Sequence, residues 1–433
     1  MKIVHLYMGK QMLHDGLKDA FVLVIDEVNI IDEREFEYFG ESFAINCKLW
    51  KNTSPECMSV SKFEHDHQHK INNADLSKIE QCLRTNSRSL FEEHSNLEII
   101  SGSANNSKKN GENISFEPSI VLYCSCKGVV PYEEKEFPKE IDGIKTDVRE
   151  GFFYLFPNDE YFKRASEVLN PLMMGASIGR KDENKMGTLG GFVTSGTGEI
   201  GFITCAHVFH DFSTSNLPPI IPFEVVQPSY AYRNTNEVCG EHVKSIFQNY
   251  QEVTVDASLV KLKDRVPQRG LFSELTVNDL LETGFRKERT PEYSTGATRD
   301  YLKPQSKRTN SCIKIGARSG LTKGTLKLSG MAARCRGVDL HLTNPPTGRP
   351  CDYLSQLEIM GTPLQQFAAA GDSGALVFQI DPPNSEEEDD HLYCIGMVVG
   401  GTSFHSTVVT PIEPILRLLN VNMKVFHQEL MDL

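Results

Sequence analysis

"QQFAAAGDSGALVF", residues 365–378, sets Ser373 between two glycines at the start of an apolar run. Gly, Asp and Ser are also the commonest turn formers, so the motif alone marks only a tight bend. A serine nucleophile needs a base and an orienting acid, and the chain has to supply both in matching contexts. Two other stretches do so. "FITCAHVF" (202–209) closes an apolar strand pattern with small residues and then His207. "VTVDASLVKL" (253–262) carries Asp256 inside an alternating apolar strand, where a carboxylate is costly unless donors receive it. An imidazole N–H is such a donor. His207, Asp256 and Ser373 are therefore the candidate catalytic residues, with His210 as a reserve base.

The rest of the chain narrows the class. At 433 residues it is long enough for two or three domains, and 39% hydrophobic with 24% charged residues describes an ordinary soluble protein. A formal charge of −13 argues against nucleic acid as a partner, because phosphates call for a basic face. The most apolar N-terminal run, "FVLVIDEVNII" (21–31), is too short to span a bilayer and contains Asp26 and Glu27. It lies too far in, with too few cations ahead, for a secretory signal, and reads as a buried strand. The eleven cysteines are irregularly spaced with no CxxC pair. They read as reduced thiols in the cytoplasm or nucleus, with no structural zinc, no other metal and no cofactor expected.

Organisation follows from composition. Residues 1–100 have no readable role, although "LSKIEQCLRTNSRSLFEEH" (76–94) has helical spacing at Leu76, Ile79, Leu83 and Leu90. "HDHQH" (65–69) would put His65, His67 and His69 on one side if extended, but reads better as a solvated loop than a metal site. "SGSANNSKKNGEN" has linker composition, placing a linker or loop at 101–116. Residues 117–185 read as a small α+β leader: a strand in "PSIVLYCSCKGVV", a turn at Asp142-Gly143, and a helix over 159–172. From 186 to 433, short Val-, Ile- and Thr-rich runs alternate with Gly-rich turns, the texture of an all-β barrel or sandwich, and "PIEPILRLLN" (411–420) reads as one closing helix. Two charged inserts, about 264–310 and 381–390, read as loops. "GTGEIG" (196–201) matches a dinucleotide fingerprint, but a strand pattern follows instead of a helix, so it reads as a hairpin turn.

The order His, Asp, Ser on an all-β pattern is that of chymotrypsin-type barrels. "TCAHV", "DASLV" and "GDSGALV" resemble the three catalytic blocks of the trypsin-like serine peptidases. "IDGIKTDVREG" (141–151), "GASIGR" (175–180), "GTLGGFV" (187–193) and "KIGARSGLTKG" (314–324) are similar to the intracellular trypsin-like peptidases with an α+β leader, which include the plant narrow-leaf protein. The resemblance covers about residues 118–420. It implies two six-stranded antiparallel barrels, chymotrypsin-like, acting as an endopeptidase on a peptide or protein substrate. His207 would act as base, Asp256 as its orienting acid and Ser373 as nucleophile. The N–H groups of Gly371 and Ser373 would form the oxyanion hole, each donor worth about 2.7–4 kcal/mol of barrier. Phe367 would floor the specificity pocket and Val399, Gly400 and Gly401 would wall it, giving a shallow apolar site. The two glycines would let a substrate backbone pair as an added strand. Val208 and Ala369 stand where secreted members carry cysteines, and no basic site followed by Ile-Val-Gly-Gly precedes the barrel. Trypsin-type zymogen cleavage is therefore not expected, and Asp372 lacks its usual partner. Two rivals stay open: a catalytically silent scaffold or adaptor, and a leader that holds the peptidase off. Self-association into a homo-oligomer is also open.

Overall fold

The computed structural model describes residues 3–13, 16–25, 43–67, 71–108, 110–155, 167–210, 222–231, 237–273, 292–301, 310–336, 351–362, 365–381 and 391–426. β1 (Ile3–Leu13) and β2 (Gly16–Ile25) form a hairpin, and β3 (Phe43–Leu49) runs parallel to β2. Helices α1 (Pro55–His67) and α2 (Asn73–Glu93) follow. Asn72 caps α2, its side-chain oxygen accepting from Ala74 N at 3.1 Å and Asp75 N at 3.0 Å. Leu76, Ile79, Leu83 and Leu90 bury one face of α2 at helical spacing. Next come β4 (Leu97–Ser103), the short hairpin β5 (Asn106–Lys108) and β6 (Asn113–Ser115), and β7 (Ser119–Cys124). β8 (Val129–Pro131), β9 (Glu140–Ile141), β10 (Ile144–Glu150) and β11 (Phe153–Leu155) complete this half. β8 joins β1, closing a four-stranded sheet in the order β3-β2-β1-β8.

The first barrel consists of β12 (Ser177–Arg180), β13 (Gly187–Thr188), β14 (Gly191–Ser195), β15 (Ile200–Thr204), β16 (Glu224–Val226), β17 (Val238–Tyr250) and β18 (Val253–Leu262). Its order is β13-β12-β16-β17-β18-β15-β14, all antiparallel, with the segment 187–195 supplying both ends and so closing a six-stranded barrel. The second barrel consists of β19 (Ser311–Gly316), β20 (Gly320–Cys335), β21 (Cys351–Gly361), β22 (Leu376–Asp381), β23 (His391–Thr402) and β24 (Ser406–Pro411). Its order β19-β22-β23-β24-β21-β20 is closed by the β19–β20 pair, again antiparallel throughout. Helix α3 (Ile412–Leu419) and β25 (Val421–Met423) return the chain to β14 of the first barrel. Two closed barrels of this topology are a chymotrypsin-like fold, all-β with a short C-terminal helix.

The differences from the sequence reading lie ahead of the barrels. The polar stretch 101–116 is not a linker: it finishes β4 and forms the β5–β6 hairpin, with Ser101, Ser103 and Asn105 buried. Their hydrogen bonds explain how polar residues enter a core, as Ser103 Oγ donates to Glu64 at 2.8 Å and Ser107 N to Asp147 at 2.7 Å. No helix occurs in the described part of 117–185; the helices are α1 and α2, earlier in the chain. Of the helix expected over 159–172, residues 159–166 lie outside the described residues and 167–172 are irregular. α1 runs through His67, so the extended premise for the histidine cluster fails. His67 Nδ1 meets Phe63 O at 2.9 Å, a contact within the helix, and His69 lies outside the described residues. The first barrel opens at β12, before residue 186. Strand 21–31 is β2 as far as Ile25, with 26–31 outside the described residues. Much of the loop at 264–310 (residues 274–291 and 302–309) and residues 382–390 also lie outside them.

β4, β7 and β10 continue the second barrel's sheet beyond β20, and α2 packs across that junction. Leu83, 1% exposed, sits in this seam. Leu83→Ala should lower unfolding free energy by roughly 2–5 kcal/mol in denaturant titration. An unchanged midpoint would show that α2 does not hold the seam.

Candidate active site

β15 ends at Thr204, and Cys205 leads into a single 3₁₀ turn, Ala206–Val208, that carries His207. β18 pairs with β15 and brings Asp256 beneath that turn. The carboxylate is fully buried and saturated with donors. Oδ1 accepts from Ala206 N at 2.7 Å and His207 N at 3.2 Å; Oδ2 accepts from Tyr353 Oη at 2.8 Å and meets His207 Nδ1 at 2.5 Å. With Nδ1–H donating to the carboxylate, Nε2 is the accepting nitrogen, and it lies 2.6 Å from Ser373 Oγ. Ser373 is 0% and His207 4% exposed. The structure thus brings residues 207, 256 and 373 into one hydrogen-bonded chain between the barrels. His210 is not part of it: its Nε2 meets Ser245 Oγ at 2.9 Å, in a cluster with His242.

The loop holding Ser373 is a tight turn that also presents the serine hydroxyl to His207. Gly371 and Gly374 have φ of 103° and 94°, which only glycine adopts freely. A Cβ on Gly374 would also stand 2.2 Å from Thr204 Oγ1. Thr188 pins the loop, its N–H donating to Ser373 O at 2.8 Å and its hydroxyl to Gly371 O at 2.9 Å. The N–H groups of Gly371 and Ser373 have no acceptor among the described residues.

Asp372, also fully buried, has a partner that the sequence reading did not find. Lys314 Nζ lies 2.9 Å from its Oδ2, and Arg318 N, Ser319 N and Ala369 N donate at 3.0, 3.1 and 2.9 Å. Lys314 is 0% exposed; burial pulls its ammonium below the usual lysine range, and Asp372 opposes that. Tyr353, Thr188 and Lys314 were not legible because nothing in their spacing ties them to positions 207, 256 or 373. A lysine in the apolar alternation of "SCIKIG" was the one available signal.

Of the residues expected to form the pocket, Phe367 is buried in an apolar cluster with Tyr301, Leu326 and Val398, and Thr322 Oγ1 donates to its carbonyl at 2.6 Å. Val399 O lies 3.4 Å from Ser373 Oγ. Gly400 and Gly401 sit on an edge of β23 that is already paired with β11. Cys205 lies beside the same groups; burial pushes its thiol well above the usual range, and it donates to Val398 O at 3.1 Å.

No protein-family model matches the chain, and no curated protein matches it. Among solved structures it is similar to Thermobifida fusca protease A (15% identity, 58% of this chain and 98% of that one, TM-score 0.35). It is also similar to a Nocardiopsis protease (14%, 58% and 98%, TM-score 0.35). A third is Cellulomonas bogoriensis chymotrypsin (14%, 58% and 97%, TM-score 0.31). Likenesses this distant carry no argument about activity. The barrel topology and the site geometry stand by themselves.

Burial alone would raise the Asp256 carboxyl, but the charge of His207 and hydrogen bonds from His207 and Tyr353 hold it below the usual carboxylate range. A depressed folded value contributes stability that is complete above the unfolded value of about 3.9 and is lost as pH falls through the folded one. Urea midpoints of wild type and Asp256→Asn should therefore differ widely near neutrality and converge in acid; a gap independent of pH would contradict this. Lys314→Met strands a buried carboxylate and should cost about 3–5 kcal/mol in denaturant titration, partly restored by adding Asp372→Asn.

Proposed function

We propose that the chain is a serine endopeptidase, working through an acyl-enzyme on Ser373. The observation that carries this reading is the imidazole bridge: 2.6 Å to a serine hydroxyl on one side and 2.5 Å to a buried carboxylate on the other. Ser373 Oγ attacks a peptide carbonyl carbon while His207 Nε2 takes its proton. The oxyanion that forms is met by the N–H groups of Gly371 and Ser373. The imidazolium, stabilised by Asp256, then protonates the departing amine as the C–N bond breaks and leaves an ester on Ser373. Water, deprotonated by His207, attacks that ester, and the proton returns to Ser373 as the acid product leaves.

Finer features of the reading have their own support. The Lys314–Asp372 pair gives the residue beside the nucleophile a cationic partner from within the barrel, which supports a site that needs no freed amino terminus and no trypsin-type cleavage. Ten cysteines among the described residues are free thiols, which supports a reducing compartment, cytoplasm or nucleus. No described helix is long and apolar enough to cross a membrane. The leader motifs support a relationship to the intracellular trypsin-like peptidases. By the resemblance Phe367 would floor the pocket, and the lack of an acid at that position supports an apolar rather than a basic side chain beside the scissile bond. A silent scaffold has no use for a serine and an imidazole held at 2.6 Å, so catalysis is the better reading.

A fluorophosphonate probe should label the wild type at one residue and fail to label Ser373→Ala, whose hydrolysis should fall by roughly 10⁶-fold. Labelling that persists in Ser373→Ala would contradict the mechanism.

A further inference from the structure

β23 lies between β22 and β24, but β22 pairs with it only from His391 to Met397. β24 holds the opposite edge as far as Gly401. Val398 still bonds the segment ahead of β22, its N–H donating to Ala375 O and its C=O accepting from Gly374 N, both at 2.9 Å. Beyond Val398 the first edge would be open, directly beside the nucleophile: Val399 O is 3.4 Å from Ser373 Oγ. In the structure it is filled by β11, antiparallel, with Phe153, Tyr154 and Leu155 opposite Thr402, Gly401 and Gly400. Gly400 makes the close approach achievable, since a Cβ there would stand 2.4 Å from Tyr154 O. The direction of β11 matters. As its numbering rises the opposing residues fall from 402 to 400, so the strand runs toward Val399 and Ser373.

We infer that β11 occupies in cis the strand edge where a peptide substrate has to pair, so that the folded chain blocks its own peptidase site. The inference rests on the peptidase reading above and adds its regulation. An extended peptide and β11 need the same N–H and C=O groups of Gly401, and one edge accepts one strand. The occupant is anchored upstream. Phe153 is 1% exposed with its ring 5.3 Å from that of Tyr353, Trp50 Nε1 donates to Phe153 O at 3.1 Å, and Ser403 N donates to Phe152 O at 2.9 Å. Tyr154 and Leu155, nearer the nucleophile, are only half-buried. Because bonded pairs alternate along an antiparallel ladder, the bonded pair after Phe152–Ser403 is Tyr154–Gly401. Withdrawing Tyr154 and Leu155 while Phe153 stays seated would free the edge without dismantling the site.

Tyr154→Pro removes one donor of that pair and tests the blockade in the full chain. If β11 is seated for nine-tenths of the time or more, hydrolysis of fluorescein-labelled casein should rise about tenfold or more, and fluorophosphonate labelling should speed up in parallel. Wild type and variant that label at equal rates and cleave casein equally overturn the blockade and leave the peptidase reading standing. If neither protein labels, the peptidase reading falls and the blockade with it. Should the variant lose its thermal unfolding transition, hydrogen exchange on Ser373→Ala decides the matter. Adding excess casein should expose the amides of 153–155 while 400–402 stay protected, and no change at 153–155 overturns the inference.

Discussion

A fully buried carboxylate has to be satisfied by the protein, and at Asp256 four donors do so. Two are backbone N–H groups of the turn that carries His207, one is the imidazole itself, and the fourth is Tyr353 from β21 of the other barrel. The first three fix the histidine's position and which of its nitrogens bears the proton. The fourth makes the acid's environment depend on the two barrels being docked. Local order at the site and the global fold are therefore a single requirement: separating the barrels would strip a donor from a buried charge.

Asp372 repeats the logic on the serine's side. Its carboxylate is compensated by Lys314 from β19 and by backbone donors from residues 318, 319 and 369. These contacts and the two from Thr188 hold the loop in which Gly371 and Gly374 take up left-handed backbone. Each side chain of the chemistry is thus set by a buried polar contact that would be costly to break and leave unpaired. Such networks favour one arrangement strongly, which suits a site whose atoms must lie within a fraction of an ångström of their working positions.

How much of this the sequence revealed depended on the range of the interaction. The barrel half was readable because strand alternation and Gly turns are local, as the hairpin at "GTGEIG" between β14 and β15 shows. Positions 207, 256 and 373 were readable because each breaks its local pattern: an acid in an apolar strand, a histidine after small residues, a serine between glycines. Tyr353 and Lys314 were not, since Tyr353 acquires its meaning only across the barrels and Lys314 only through Asp372, 58 positions along the chain. Residues 101–116 misled for a related reason. Ser, Asn and Lys composition argues for solvent, but Glu64 and Asp147, distant in sequence, supply the partners that let Ser103 and Ser107 be buried. The helices of the N-terminal region were half readable, with α2 evident from its apolar stripe and α1 hidden by a weak one.

The two halves of the chain meet where their physics coincides. Residues 97–150 extend the second barrel's sheet, and the same run of chain then delivers β11 to the edge beside Ser373. An exposed strand edge invites pairing, and here the protein's own sequence provides the partner. The account's central claim is that Asp256 sets the protonation pattern of His207 so that Nε2 faces Ser373 as an acceptor. Nitrogen-15 NMR of histidine-labelled protein, with His207 assigned by its loss in a His207→Gln variant, reads that pattern directly. A protonated Nδ1 and a bare Nε2 near neutrality is the result this structure requires, and a resting imidazole protonated at Nε2 alone would contradict it.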